Sequence, residues 1–276
     1  MNQDIARLET RLRSLFGFKS LPFTKDLEAD QFFRTEAFTQ GLDRLRYLVD
    51  RRGTGAIFGT PGSGKSTLLR VFLDSLGKAT YTVCYLTHTT CATLDLYRDI
   101  ARGFQIEPAH RKADVMRQIK DRLLKLSRGQ KLSPVLVIDE AHLLPCTFLD
   151  ELRLLTSFDQ DARDDLTLIL AGHPQLESHL HLAVNEALAQ RIVLRIRLRS
   201  FHPEEVEAYL AFRLEKAGRT AKLFLPEAVQ ALALASRGIP RLIDRIAEQS
   251  LLLALQKKAK EIDAELITQA IDEVDP

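Results

Sequence analysis

The sequence predicts an α/β protein: a phosphate-loop core built on a parallel sheet with helices on both faces, followed by a small all-α lid. Three observations predict it. Residues 59–67 read GTPGSGKST, residues 135–140 read VLVIDE, and apolar strand-like runs alternate with helical repeats up to about residue 199, beyond which only helical patterns continue. Strands alternating with helices pair in parallel, and such sheets hold ligands at the carboxyl ends of their strands.

Each element has a local reason. Ile5, Leu8, Leu12 and Leu15 recur at helical spacing, which predicts an amphipathic first helix for packing or self-association. An irregular stretch with Pro22 and several phenylalanines completes a leading region, residues 1–34. The nucleotide-binding core, 35–199, opens with a helix over 36–49. Gly53, Thr54 and Gly55 then lead into a strand at Ala56, Ile57 and Phe58 that feeds the glycine-rich loop. A helix over 67–76 leaves that loop, and a strand over 80–87 and helices over 94–104 and 111–127 follow. The strand that ends in Asp139 and Glu140 comes next. A helix over 148–157, a buried strand over 166–171 and an alternating last strand over 192–198 complete the core. Pro203 in a first turn with Glu204 and Glu205 begins the helical lid, 200–276.

The two motifs carry the chemistry. Gly59, Gly62 and Gly64 let the backbone bend around a phosphate chain with its amides turned inward, while Thr60, Pro61 and Ser63 complete the cradle. Lys65 suits the β- and γ-phosphates, Ser66 suits Mg²⁺, and Thr67 begins the helix whose N-terminus faces the phosphates. Asp139 suits the metal's outer shell, and Glu140 suits a general base that orients water against the γ-phosphate. ATP and Mg²⁺ are the expected ligands, and hydrolysis the expected reaction.

Composition excludes several classes. A net charge of +2 is too mild to require a nucleic-acid partner, so local clusters must carry any such reading. Cys84, Cys91 and Cys146 are odd in number and form no C-x-x-C pair, which argues against a disulfide framework or a cysteine zinc site. No apolar run reaches the ~18–20 residues of a membrane span, and the first residues lack a signal-peptide core. No membrane partner and a cytoplasmic location are expected.

Arginines refine the class. Arg191, in LAQRIVLRI, stands where an arginine finger from one subunit would meet the γ-phosphate on the next. Arg241, in GIPRLID, starts a helix after Gly238 and Pro240 and can report nucleotide state from the lid. With Pro22-Phe23, GxxGxGKST, the Asp139–His142 run DEAH, LAGHPQL, QRI and GIPR in this order, the chain resembles the AAA+ ATPases of the ExeA/GspA type. Within that type its layout resembles the transposition regulators such as the TniB, TnsC and phage Mu B proteins. The resemblance implies an AAA+ core with a helical lid, hydrolysis between subunits of a ring or filament, Arg191 as the finger and Arg241 as sensor two. The position of sensor one, usually Gln, Asn or Thr, is His173, whose charge would vary near neutral pH.

The same resemblance implies a partner. Transposition regulators assemble on duplex DNA with ATP and recruit a transposase, and that is the main expectation; the alternative is an ATPase assisting secretion or envelope assembly without DNA. Basic residues from Arg111 to Lys131 outnumber the acidic ones, and duplex DNA is tracked by such cations without base reading. His88, Thr90, Arg111 and Lys112 are the expected phosphate contacts.

Overall fold

A computed structural model describes residues 2–24, 32–87, 89–157 and 164–274. The chain divides into two compact units, Glu36–Leu198 and a second made of Met1–Thr35 with Arg199–Pro276. Helix α1 (Asn2–Phe16) opens the chain and belongs to the second unit.

The α/β unit begins with α2 (Glu36–Arg51), which turns Phe38, Leu42, Leu45, Leu48 and Val49 inward. Five parallel strands follow in chain order: β1 (Thr54–Phe58), β2 (Tyr81–Leu86), β3 (Ser133–Ile138), β4 (Thr167–Gly172) and β5 (Ile192–Arg197). They lie side by side as β2-β3-β4-β1-β5. Burial reports this order. Strands β1 and β4 are buried at every residue and β3 at all but its first, whereas β5 alternates and β2 is only partly covered, as edge strands are.

Helices α3 (Lys65–Asp74), α4 (Thr93–Gly103), α5 (Lys112–Leu124), α6 (Cys146–Thr156), α7 (Pro174–Leu180) and α8 (Glu186–Arg191) complete the unit. Ala56, Phe58, Leu136, Ile138, Leu168 and Leu170 share one core cluster with Leu96, Ile119, Phe148, Leu176 and Leu188 of α4 to α8. Their strand neighbours Ile57, Val137, Ile169 and Ala171 are buried on the opposite face, and α2 packs on α3 and on β1, β4 and β5. The helix expected over 111–127 gives way to a π turn at Lys125–Gly129. Helices α7 and α8, of 7 and 6 residues, are too short for periodicity to announce.

In the helical unit, α9 (Pro203–Lys216), α10 (Pro226–Ser236) and α11 (Pro240–Lys257) each start on a proline, and α12 (Ala264–Val274) follows. A missing N–H costs nothing in a first turn. Glu205 closes a capping box on His202 at the start of α9. The leading region lies in this unit: Leu12, Phe16, Phe18 and Phe23 share a core with Val206, Leu210, Ile246 and Leu251. Arg213, 3% exposed, ties it down by donating to the carbonyls of Pro22 at 2.7 Å and Thr24 at 3.0 Å.

Candidate nucleotide site

Strand order makes the site. Because β4 lies between β1 and β3, three neighbouring strands deliver Gly59, His173 and Asp139 at the same end of the sheet. The Gly59 N–H donates to the Gly172 carbonyl at 3.2 Å. Beyond it Gly62 and Gly64 take φ values of 79° and 97°, and Gly64 caps α3. This left-handed pair turns the loop back on itself, a conformation that side chains disfavour. Lys65 is 5% exposed, and its ammonium donates to the carbonyls of Gly59 at 2.9 Å and Thr60 at 3.2 Å. Pro61 completes the loop's rim. The Ser63 hydroxyl is buried and finds no hydrogen-bond partner among the described residues. Ser66 and Thr67 sit in the first turn of α3, whose N-terminus has no side-chain cap. The amides of a helix N-terminus favour an anion.

Asp139 joins this loop to β3. One carboxylate oxygen accepts the Ser66 hydroxyl at 3.0 Å and the Tyr85 hydroxyl at 2.8 Å, and the other accepts the Glu140 N–H at 2.9 Å. Burial, and then the bond to Asp139, pushes the Tyr85 phenol above its ordinary range, so it stays a donor. Ser66 and Asp139 together offer the oxygen ligands that Mg²⁺ takes, and the orphaned Ser63 hydroxyl and the N-terminal end of α3 suit phosphate. The residues therefore fit the nucleotide and metal that the motifs imply.

Glu140 has a φ of 51°, in the left-handed region. Its carbonyl accepts the hydroxyl of Thr89, which is 1% exposed, at 3.2 Å. Its carboxylate lies 3.4 Å from His142 Nδ1. The His142 ring stacks on His173 at 4.4 Å between centroids and accepts the His173 N–H at 3.4 Å. A Cβ on Gly172 would stand 3.1 Å from the His142 backbone nitrogen and 3.3 Å from its Nδ1, so a larger residue there would press this ring by a few tenths of an ångström. Burial pushes His142 below the ordinary histidine range, with His173 and Lys65 adding and Glu140 opposing. Tyr85, Thr89 and His142 had no separate signal: an aromatic in a strand, a threonine in a loop and a histidine after a carboxylate pair are each common.

The remaining expected residues are dispersed. Arg191 ends α8, partly buried, just before β5. Arg241 is exposed in the first turn of α11, in the helical unit. His88 lies outside the described residues. Thr90 and Arg111 are exposed, whereas the Lys112 ammonium pairs with Glu151 at 2.5 Å. Other cations of the basic run are also engaged: Arg122 with the Phe104 carbonyl, and Arg128 with Asp165.

Residues 48–180 match the AAA domain family. Those residues form an AAA domain. This AAA+ protein is 34% identical over 251 residues to General secretion pathway protein A of Aeromonas hydrophila; the match covers 90% of this chain and 45% of that protein. The AAA+ chain thus spans less than half of the curated relative it matches. In fold it is similar to Cdc6p of Pyrobaculum aerophilum, at a TM-score of 0.70 and 20% identity over 92% of this chain and 70% of that one. The ORC1 protein of Aeropyrum pernix, solved in complex with DNA, gives 0.65 and 16% over 92% and 68%. The RuvB Holliday junction branch migration motor of Thermotoga maritima gives 0.59 and 19% over 92% and 73%. At such identities the likeness is one of fold. Among the described residues no helix is long and apolar enough to cross a membrane.

Proposed function

We propose that this AAA+ protein is an ATP-hydrolysing module of the kind found in General secretion pathway protein A, working in secretion or envelope assembly. The observation that carries the ATPase reading is the 3.0 Å bond between Ser66 and Asp139, which joins the phosphate loop to the strand-end carboxylates. In this reading Gly59 to Thr67 hold the phosphates, Lys65 leaves its loop carbonyls for the β- and γ-oxygens, and Ser66 and Asp139 hold Mg²⁺. The metal supplies charge neutralisation at those oxygens. Glu140 accepts the proton of the attacking water, His173 orients that water or the γ-phosphate, and Arg191 of a neighbouring copy neutralises the developing charge. Arg241 reports the nucleotide's state.

The secretion reading is supported by identity across 90% of the chain. The second reading, assembly on duplex DNA as a transposition regulator that recruits a transposase, rests on the exposed Thr90 and on the exposed Arg111 at the head of a basic run; the pairing of Lys112 with Glu151 counts against it. ATP turnover by parent and Glu140→Gln, with and without random-sequence duplex, tests both. The variant is expected to bind ATP, assemble, and turn over ~10²-fold or more slowly. Parental turnover in the variant removes Glu140 from the mechanism. Turnover and assembly indifferent to DNA support the secretion reading, and stimulation by DNA that Arg111→Ala abolishes supports the other.

A further inference from the structure

We propose that Glu140, His142 and His173 form a site for a divalent cation of the zinc class, whose occupancy stops hydrolysis by occupying Glu140. The switching half rests on the reading of Glu140 as the group that activates water. One carboxylate oxygen and two imidazole nitrogens lie within 4.8 Å of one another, and two histidines with a glutamate are a donor set that zinc takes. Glu140 Oε2 and His142 Nδ1 are 3.4 Å apart. That is already the ligand-to-ligand edge, ~3.4 Å, of a tetrahedral shell with bonds of about 2.0–2.1 Å. The His173 nitrogen has to close in as well, which tilts its ring out of the 4.4 Å stack so that both in-plane lone pairs meet at one ion.

Hydrogen bonding shows which atoms are acceptors. His142 Nδ1 accepts the backbone N–H of His173 at 3.4 Å, so this nitrogen presents a lone pair that a cation would take over from that long bond. The Glu140 carboxylate is an acceptor too. Two acceptors therefore face each other across 3.4 Å, a juxtaposition that a cation between them would satisfy. The Glu140 side chain is 42% exposed, which leaves the fourth position and an entry path to water. This ion is distinct from the Mg²⁺ of Ser66 and Asp139: magnesium is hard and keeps oxygen ligands, whereas imidazole selects zinc, copper or nickel.

Co²⁺ added to the full chain without nucleotide, read by visible absorption and displaced by Zn²⁺, tests the site. The expected result is one equivalent of cobalt with tetrahedral absorption. Affinity should fall more than ~100-fold in Glu140→Gln and in His142→Phe, which keeps a ring for stacking, and should persist in Ser66→Ala. Should His142→Phe not fold, His142→Gln replaces it. Absorption missing from the parent, surviving the loss of Glu140 and His142, or lost in Ser66→Ala overturns the site. With the site established, Zn²⁺ at fixed Mg²⁺ and ATP should slow the parent and leave the His142 variant at its own zinc-free rate. Equal slowing of both overturns the switch. A parent without any turnover defeats the hydrolytic reading instead, and the cobalt measurement still decides the site.

Discussion

Each unit of this protein buries an arginine–aspartate cluster, and the two carboxyls are driven in opposite directions. In the α/β unit Asp165, 3% exposed, accepts Ser127 at 2.8 Å and Arg128 at 2.5 Å, with Arg52 at 3.6 Å. Burial alone would raise its pKa, yet those donors and two positive charges hold it below the ordinary carboxylate range. In the helical unit Asp244 has the single cation Arg213 at 3.2 Å and the Tyr209 hydroxyl at 2.7 Å. Here burial wins over both and pushes the carboxyl up to about 6. Arg213 spends its other donors on the carbonyls of Pro22 and Thr24. The carboxyl with two cations beside it loses its proton at lower pH than the one whose arginine also serves two backbone carbonyls.

Removing the shared arginine should cost most. Arg213→Ala strands Asp244 and two carbonyls at once, and about 3–5 kcal/mol should be lost from the helical unit. Denaturant unfolding measures it; a loss near zero would mean that the aromatic packing of Phe23 and Tyr209 holds the leading region unaided. Arg128→Ala should cost far less, about 1 kcal/mol, because its side chain is 39% exposed and Arg52 remains beside Asp165. Equal losses in the two variants would erase the contrast.

The smallest effect is a drift with pH. Asp244 binds its proton more tightly folded than unfolded, so its contribution declines as pH rises from about 4 to about 6 and is constant above. Asp165 has the reverse sign: its contribution is complete above the unfolded value near 3.8 and is lost as pH falls below it. The stability difference between parent and Asp244→Asn should therefore slope between pH 4 and 6, while that between parent and Asp165→Asn should be level there. A level Asp244 difference would refute the raised carboxyl.

Short-range signals carry much of this protein. The loop from Gly59 to Thr67 and the strand ending at Asp139 are legible because the glycines, the lysine and the carboxylates stand at fixed spacings along one segment. The parallel α/β core with a helical region after it follows from the alternation of periods. Strand order does not, since β4 enters between β1 and β3 through contacts more than thirty residues apart in sequence; with it were hidden the donation of Tyr85 to Asp139 and the stacking of His142 on His173. The leading region shows only an amphipathic helix, because its partner, Arg213, is 191 residues from Pro22. The basic run from Arg111 reads as a free cationic face only until Lys112, Arg122 and Arg128 meet their acceptors.

The left-handed backbone at Glu140 has a consequence for how this chain can change. A non-glycine residue at a φ of 51° stores roughly 1 kcal/mol or more of strain. Glycine there would relax the fold while deleting the carboxylate. Were Glu140 the water-activating group proposed above, selection for robustness and selection for turnover would pull against each other at this one position, and drift toward glycine would be the route by which a copy became sturdier and silent.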